Sequence, residues 1–591
     1  MARLAIILHD GIPGPRELRL SGILDFFGVP SKMASGLVNL EPDSAHSEYA
    51  VFGSIRAIAA ILDERPEAGS TAVAAGAYYA YADDDQGLSN NALRSVFGDA
   101  NLSVKAAPEG NLAIRVSEQL AELTGPMAGL TFSLRSGSED AVLTAASSAT
   151  ASRFATVISA ENVPVFVRFQ HHRAPVFFCT SSQIVDIDQP VRRGFYDVKD
   201  HFCSVVPLIL FIRFMFPDVA WHAQETGACL IIDDPLLKPK YGFCNFAELR
   251  DLMRRFGFTT NIAFIPWNWR RTSAAAAKFF DFESGHFSVS VHGCDHTAGE
   301  FAATSPEVLN ARAHLARFRM RNHETRTGIK HDSVMVFPQG AFSSICPEVL
   351  KRNGFLAAVN TEIAPVDLQN SRTRIRDVWD VAIMTYGDFP IFTRRYAFHG
   401  LENFAFDMLL GKPCLIVAHH DFFKDESAAL IGLIEKISSL NSRLHWRSLG
   451  QVIRRACRRR TLGAGVEELE MYGSELVVNN PSDRAIKVSI RKRKSLDDPA
   501  SEILCDQNPV LWAIEGRYFV FAEEIGPHTE KCFRVVHPEQ ADARNDRRSL
   551  RFELAVAVRR ILSEFRDDYL STSQILSGPA ERLKNALKKA V

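Results

Sequence analysis

Two adjacent carboxylates, Asp233 and Asp234, close the apolar run "CLIIDDPLLKPK" (Cys229 to Lys240). An acid pair at the end of a strand either opens a turn, for which Asp-Pro is a common signal, or holds something. In "SVSVHGCDHTAGEF", His292 and His296 stand four apart, directly after another apolar run. That spacing lets two imidazoles meet one ion, on a helical turn or in a tight loop. Asp295 between them is a further ligand or an orienting group behind the ligands. With Asp234 the histidines make a three-ligand site with positions left for water and substrate, the mark of a catalytic rather than a structural metal. A divalent ion there lowers the pKa of water and polarises a carbonyl. Asp233, not needed as a ligand, can then take the water's proton, and His419 of "LIVAHHDFF" can protonate a leaving group.

These residues need a scaffold that brings them together. From about 225 to 460 strand-like and helical segments alternate: "ACLII", "FAELRDLMRRFG", "TTNIAFIP", "FSVSVHG", "PEVLNARAHLARFRMRN", "SVMVFPQG", "PCLIVAHH". Repeated β-then-α units with short turns imply parallel strands, in an open sheet or a barrel. Functional residues in such folds sit at the carboxyl ends of strands. Asp233 and Asp234, His292, Pro338 and His419 each follow a different strand.

The order "IIDDP … VHGCDH … VFPQG … LIVAH" resembles the NodB-homology polysaccharide deacetylases, carbohydrate esterase family 4. The resemblance covers roughly 225 to 460 and implies an irregular (β/α) barrel that removes acetyl groups from sugars with a divalent metal, commonly zinc. It implies Asp233 as general base, Asp234, His292 and His296 as metal ligands, and His419 of the Leu415-x-Val417-x-His419 motif as catalytic acid. Pro338 and Gly340 match the third motif. Three departures stand out: Pro235 replaces the glycine after the acid pair, Gly293 the Ser or Thr after the first histidine, and Val336 the arginine that orients the base. No residue of the sequence marks itself as that arginine's replacement. Asp380, in "RDVWD" with Asp377 and Trp379, stands loosely where the family tunes its catalytic histidine from behind.

Other residues carry open readings. Trp267 and Trp269 line a sugar site or anchor a loop. Arg394 and Arg395 meet an anionic substrate or form surface ion pairs, the second being the expectation. His420 is expected on the face opposite His419, and His171 and His172 face apart. The basic clusters "RRACRRR" and "RKRK" read as solvated faces or edge-strand protection.

The chain's 591 residues allow three or four domains, and 46% apolar with 23% charged residues is ordinary for a folded protein. The expected layout is an α/β unit over 1–222, the NodB-like barrel over 223–462, a β-sandwich over 463–540 and a helical tail over 541–591. The tail docks on the body or mediates contact with another chain. A net charge of −1 gives no global field toward nucleic acid or an anionic membrane. "SVVPLILFIRFMF", broken by Pro207 and Arg213, falls short of a membrane span. The opening apolar run is too short for a signal-peptide core. Ten scattered cysteines without a CxxC pair suggest reduced thiols in the cytoplasm.

The expected function is hydrolysis of an acyl group, N-acetyl by the resemblance, from a carbohydrate. Two alternatives stay open: a glycan-binding or scaffold protein that keeps the barrel without turnover, and a glycosidase of a related barrel.

Overall fold

The computed structural model describes residues 4–35, 49–63, 75–98, 102–137, 140–145, 152–171, 174–191, 194–368, 372–424, 427–462, 465–494, 502–536 and 549–570. His172 and the tail beyond 570 lie outside them. The first layer is a nine-stranded sheet. Ser31–Ala34, Leu4–Leu8, Tyr49–Ser54, Ala75–Tyr81 and Ala174–Cys179 run parallel, and Val163–His171, Ala155–Ala160, Asn111–Val116 and Thr131–Arg135 continue it antiparallel. The helix Pro15–Phe26 buries Leu20, Ile23 and Leu24 and leaves Leu18 exposed.

The apolar segment flagged as too short to span a bilayer is the helix Phe202–Met215, buried on almost every side. Its Phe211 meets Phe52 and Tyr79 of the first sheet. Its Arg213 donates to the Leu409 and Leu410 carbonyls of the barrel. One hydrophobic cluster runs through both layers, from Ala5 to Ile437. A helix that is apolar all round is what such a position between two layers selects. No described helix is long and apolar enough to cross a membrane.

The second layer is built from parallel strands separated by helices. Its neighbours run Ile391–Thr393, Ala357–Asn360, Val334–Val336, Phe287–His292, Thr260–Phe264, Thr226–Asp233, Cys414–Ala418 and Arg395–Tyr396. The two ends of this path are adjacent in sequence. Ile391–Thr393 pairs with Ala357–Asn360, Arg395–Tyr396 pairs with Cys414–Ala418, and Arg394 alone stands between. One extended segment therefore closes the sheet into a barrel. Covered on both faces, the strands read as continuous apolar runs. Alternate residues face inward: Cys229, Ile231, Val334, Val336, Phe392 and Leu415 form one interior cluster, joined by Leu449, Val452 and Ile453 of the helix Leu449–Arg455.

Beyond the barrel, six- and four-stranded sheets face each other over a shared core that includes Leu469, Ile490, Ile503, Phe521 and Phe533. The basic clusters expected to be solvated are interface instead. Arg458 is buried against Asp380, Arg460 lies over the Trp221 ring at 4.4 Å, and Lys492 is buried with its ammonium on the Tyr472 carbonyl. Guanidinium planes stack on aromatics and carboxylates that a solvated arginine would not meet. The tail helix Leu550–Phe565 docks on the barrel, with the turn Arg566–Leu570 after it. All ten cysteines are free and nine are buried.

Candidate metal centre and catalytic pair

The inward rows of the barrel strands end on polar side chains. Cys229 and Ile231 lead to Asp233, Ser288 and Ser290 to His292, Phe392 to Arg394, and Leu415 and Val417 to His419. A period of two places all four over the same interior. Asp234 is brought in by a left-handed backbone, with φ +78°, and His296 by another, with φ +58°. Aspartate and histidine enter this region more often than most residues other than glycine, and such backbone collects at ligand-holding sites.

Asp234, His292 and His296 converge, with one donor atom of each within 4.8 Å of the others. Asp234 Oδ1 lies 3.0 Å from His296 Nε2 and 3.4 Å from His292 Nε2. Sealed from solvent, that oxygen accepts no well-formed hydrogen bond among the described residues. Ligands each about 2.0–2.2 Å from a zinc ion are separated from one another by distances of this size. His292 Nδ1 donates to the Val336 carbonyl at 2.9 Å, since a carbonyl only accepts, so Nε2 keeps its lone pair for the centre. The donor set of one carboxylate and two imidazoles fits a divalent ion.

The loop between the histidines is held from behind by Glu300. Its Oε1 accepts from the Cys294 and His296 amides at 2.8 and 3.1 Å, and its Oε2 from the Asp295 amide at 3.0 Å. This accounts for Gly293, where φ is +65° and a Cβ would stand 1.9 Å from Glu300 Oε1 and 2.4 Å from Pro338 Cγ. Asp295 turns away to pair with Arg319 at 2.6 Å.

Asp233 is gripped by Arg394: Nη1 meets Oδ1 and Nη2 meets Oδ2, each at 2.7 Å, and both residues are buried. Arg394 thus stands where the arginine absent at position 336 was expected to act, supplied by the segment that closes the barrel. The expectation of surface ion pairing for Arg394 and Arg395 is overturned, since Arg395 is also buried, against Asp407 at 2.5 and 3.0 Å. Burial alone would raise the Asp233 carboxyl. Arg394, helped by His292 and His419, outweighs it and holds the carboxyl below its usual range. Burial likewise opposes ionisation of Asp234, and His296 and His292 reverse it strongly. The two aspartates raise His292 against its burial.

His419 is half-buried, and its ring centroid lies 6.1 Å from Tyr396. Tyr396 in turn stacks at 5.0 Å on Phe398, which is 80% exposed. His420 points elsewhere: it stacks on Phe243 and its Nε2 is 3.5 Å from Asp567 of the tail. Trp267 and Trp269 sit in the turn Pro266–Arg270, half-buried, under Arg271 and Arg270. Pro338 and Gly340 form a single turn after Val334–Val336 and pack by Gly293 and Asn360. Asp380 lies among Tyr472, Arg458 and Arg493, facing the sandwich. Arg394, Glu300 and Tyr396 were not marked as site residues by the sequence. An acid four residues after His296 was the one available signal for Glu300.

No family model matches the chain, and no curated protein matches it. Among solved structures, a family 4 acetyl xylan esterase from Clostridium thermocellum with a cobalt ion aligns at 14% identity and TM-score 0.24, over 39% of this chain and 90% of that one. A family 4 carbohydrate esterase from Streptomyces lividans with acetate aligns at 12% and 0.23, over 37% and 91%. A 4-alpha-glucanotransferase from Thermococcus litoralis reaches 11% and 0.27, over 39% and 40%. At such TM-scores the alignments fix neither fold nor activity.

Proposed function

We propose that this protein is a metal-dependent hydrolase that removes an acyl group, N-acetyl in the first instance, from a carbohydrate. The observation that carries the reading is the convergence of Asp234, His292 and His296 beside an arginine-held Asp233. A divalent ion, zinc by its donor set, would supply an electrophile that lowers the pKa of water and polarises the acyl carbonyl. Asp233 accepts the attacking water's proton. Its pairing with Arg394 keeps it ionised at neutral pH and fixes its oxygens in one orientation. His419, at the end of the strand that pairs with that of Asp233, gives a proton to the departing sugar amine as acetate forms. The exposed Phe398 face, stacked on Tyr396 beside His419, is a surface on which a sugar ring can lie. The ten free cysteines fit a reducing compartment such as the cytoplasm.

The glycosidase alternative needs two carboxylates flanking a glycosidic bond about 5–10 Å apart. Asp233 is occupied by Arg394 and Asp234 faces two imidazoles, so neither is free to protonate a leaving oxygen.

The test is acetate release from N-acetylated sugars by zinc-loaded protein. Asp233→Asn and His419→Ala should each lower kcat about 10²- to 10⁴-fold with the protein folded. Release unchanged in Asp233→Asn would refute the assignment.

A further inference from the structure

The tail helix is docked the wrong way round for an ordinary amphipathic helix. Its apolar side chains Leu554, Val558, Ile561, Leu562 and Phe565 are exposed. The face it turns to the barrel is largely polar: Arg560 is buried beside Val556, Asp567 of the turn that follows is buried, and Arg559 and Glu564 are half-buried. A surface helix normally hides its apolar stripe. Here Val556 alone among the helix's large apolar side chains is hidden, beside Arg560, and the segment's partners Lys238, Arg271 and His420 each follow the carboxyl end of a barrel strand.

The acids on that face are consumed in docking. Glu564 pairs with Lys238 and Arg271. Asp567 accepts from the Tyr241 hydroxyl at 2.7 Å, pairs with Arg566 at 2.6 Å and meets His420, and Asp568 accepts from the Gly242 amide at 2.8 Å. The arginines are not consumed in the same way. Arg560 is 5% exposed, and its Nε has no hydrogen-bond partner among the described residues. Arg559 feels burial first, then the like charge of Arg560, and these depress it despite the attraction of Glu300 and Asp234. Glu300 is already engaged by three amides.

Two successive arginines thus belong to the hidden part of the tail, and Arg560, almost sealed from solvent, keeps an Nε without a partner among the described residues. A divalent ion on Asp234 would add positive charge to this region, because one carboxylate does not neutralise it and Asp233 is cancelled by Arg394. A buried cation without a counter-charge is costly unless an anion completes the site.

We propose that the tail helix forms one wall of the substrate site, and that Arg559 and Arg560 select sugars bearing an anionic group, a carboxylate or a phosphate. This deepens the deacylase reading and rests on it for the word substrate. Planar forks binding such groups in pairs of hydrogen bonds are what arginine provides.

The test is binding to the full chain, by calorimetry, of glucose, glucuronate and glucose 6-phosphate, each with and without zinc. Both anionic sugars, or one of them, should bind at least about ten-fold more tightly than glucose. The tighter of the two identifies the group. Arg559→Gln/Arg560→Gln should abolish the preference, and Arg559→Lys/Arg560→Lys should keep most of it, which separates lost charge from a lost fold. Equal binding of all three sugars, or a preference that survives in the glutamine variant, overturns the proposal. Acetate release from N-acetylated sugars by the zinc-loaded protein keeps the readings apart: an arginine-dependent preference in zinc-loaded protein that releases no acetate supports this inference and refutes the deacylase.

Discussion

Arg394 holds Asp233 through two parallel 2.7 Å hydrogen bonds, although 161 residues separate them in sequence. Removing the arginine leaves a buried carboxylate without its counter-charge. Arg394→Met should cost about 3–5 kcal/mol of stability and abolish turnover. Arg394→Met/Asp233→Leu should recover most of the stability and none of the activity. Denaturant titration beside acetate release checks both. A double variant no more stable than Arg394→Met would mean that the pair is not the coupled unit the distances indicate.

Glu300 is the brace of the histidine loop, and its removal should be read first in metal affinity. Glu300→Gln should weaken zinc binding about 10- to 100-fold, measured by competition with a chelator. Gly293→Ser, which restores the residue type common in the resembled family, should do worse than Glu300→Gln. Its side chain would enter the space of Glu300 and Pro338 at a left-handed backbone. Zinc affinity unchanged in both variants would remove the brace from the account.

His323 sets an acid limit to stability. Burial, then Arg326, pushes its pKa down to about 4, and its Nε2 meets the Thr272 hydroxyl at 2.9 Å. A histidine depressed in the folded state favours folding fully above its unfolded pKa of about 6.5, and that contribution fades as pH falls toward 4. Between pH 7 and pH 5 the loss from this residue is about 2 kcal/mol. The fall in Tm between those pH values should shrink in His323→Gln. An unchanged fall would show that His323 does not titrate in this window.

The sequence marked the residues whose neighbours are local. Asp233 with Asp234, and His292 with His296, announce themselves because each pair shares a strand end. His419 follows an apolar run that alternates inward through Leu415 and Val417, so its placement is also written locally. Arg394 was illegible because its role depends on tertiary pairing: Ile391–Thr393 joins one neighbour, Arg395–Tyr396 another, and the residue between is turned into the barrel. The basic run near Arg458 misled for a related reason. Charge alone does not show that Asp380 and Trp221 wait across an interface. The tail's periodicity was visible, but which face it hides is decided by Lys238, Arg271 and Tyr241, far away in sequence.

Everything proposed for the site depends on Asp234, His292 and His296 holding a divalent ion. Elemental analysis of the purified full-length protein, wild type beside His292→Ala/His296→Ala, tests it most directly. Near one equivalent of zinc or another divalent ion is expected in the wild type, lost in the folded variant. A folded wild-type protein that takes up no metal under replete conditions would contradict it.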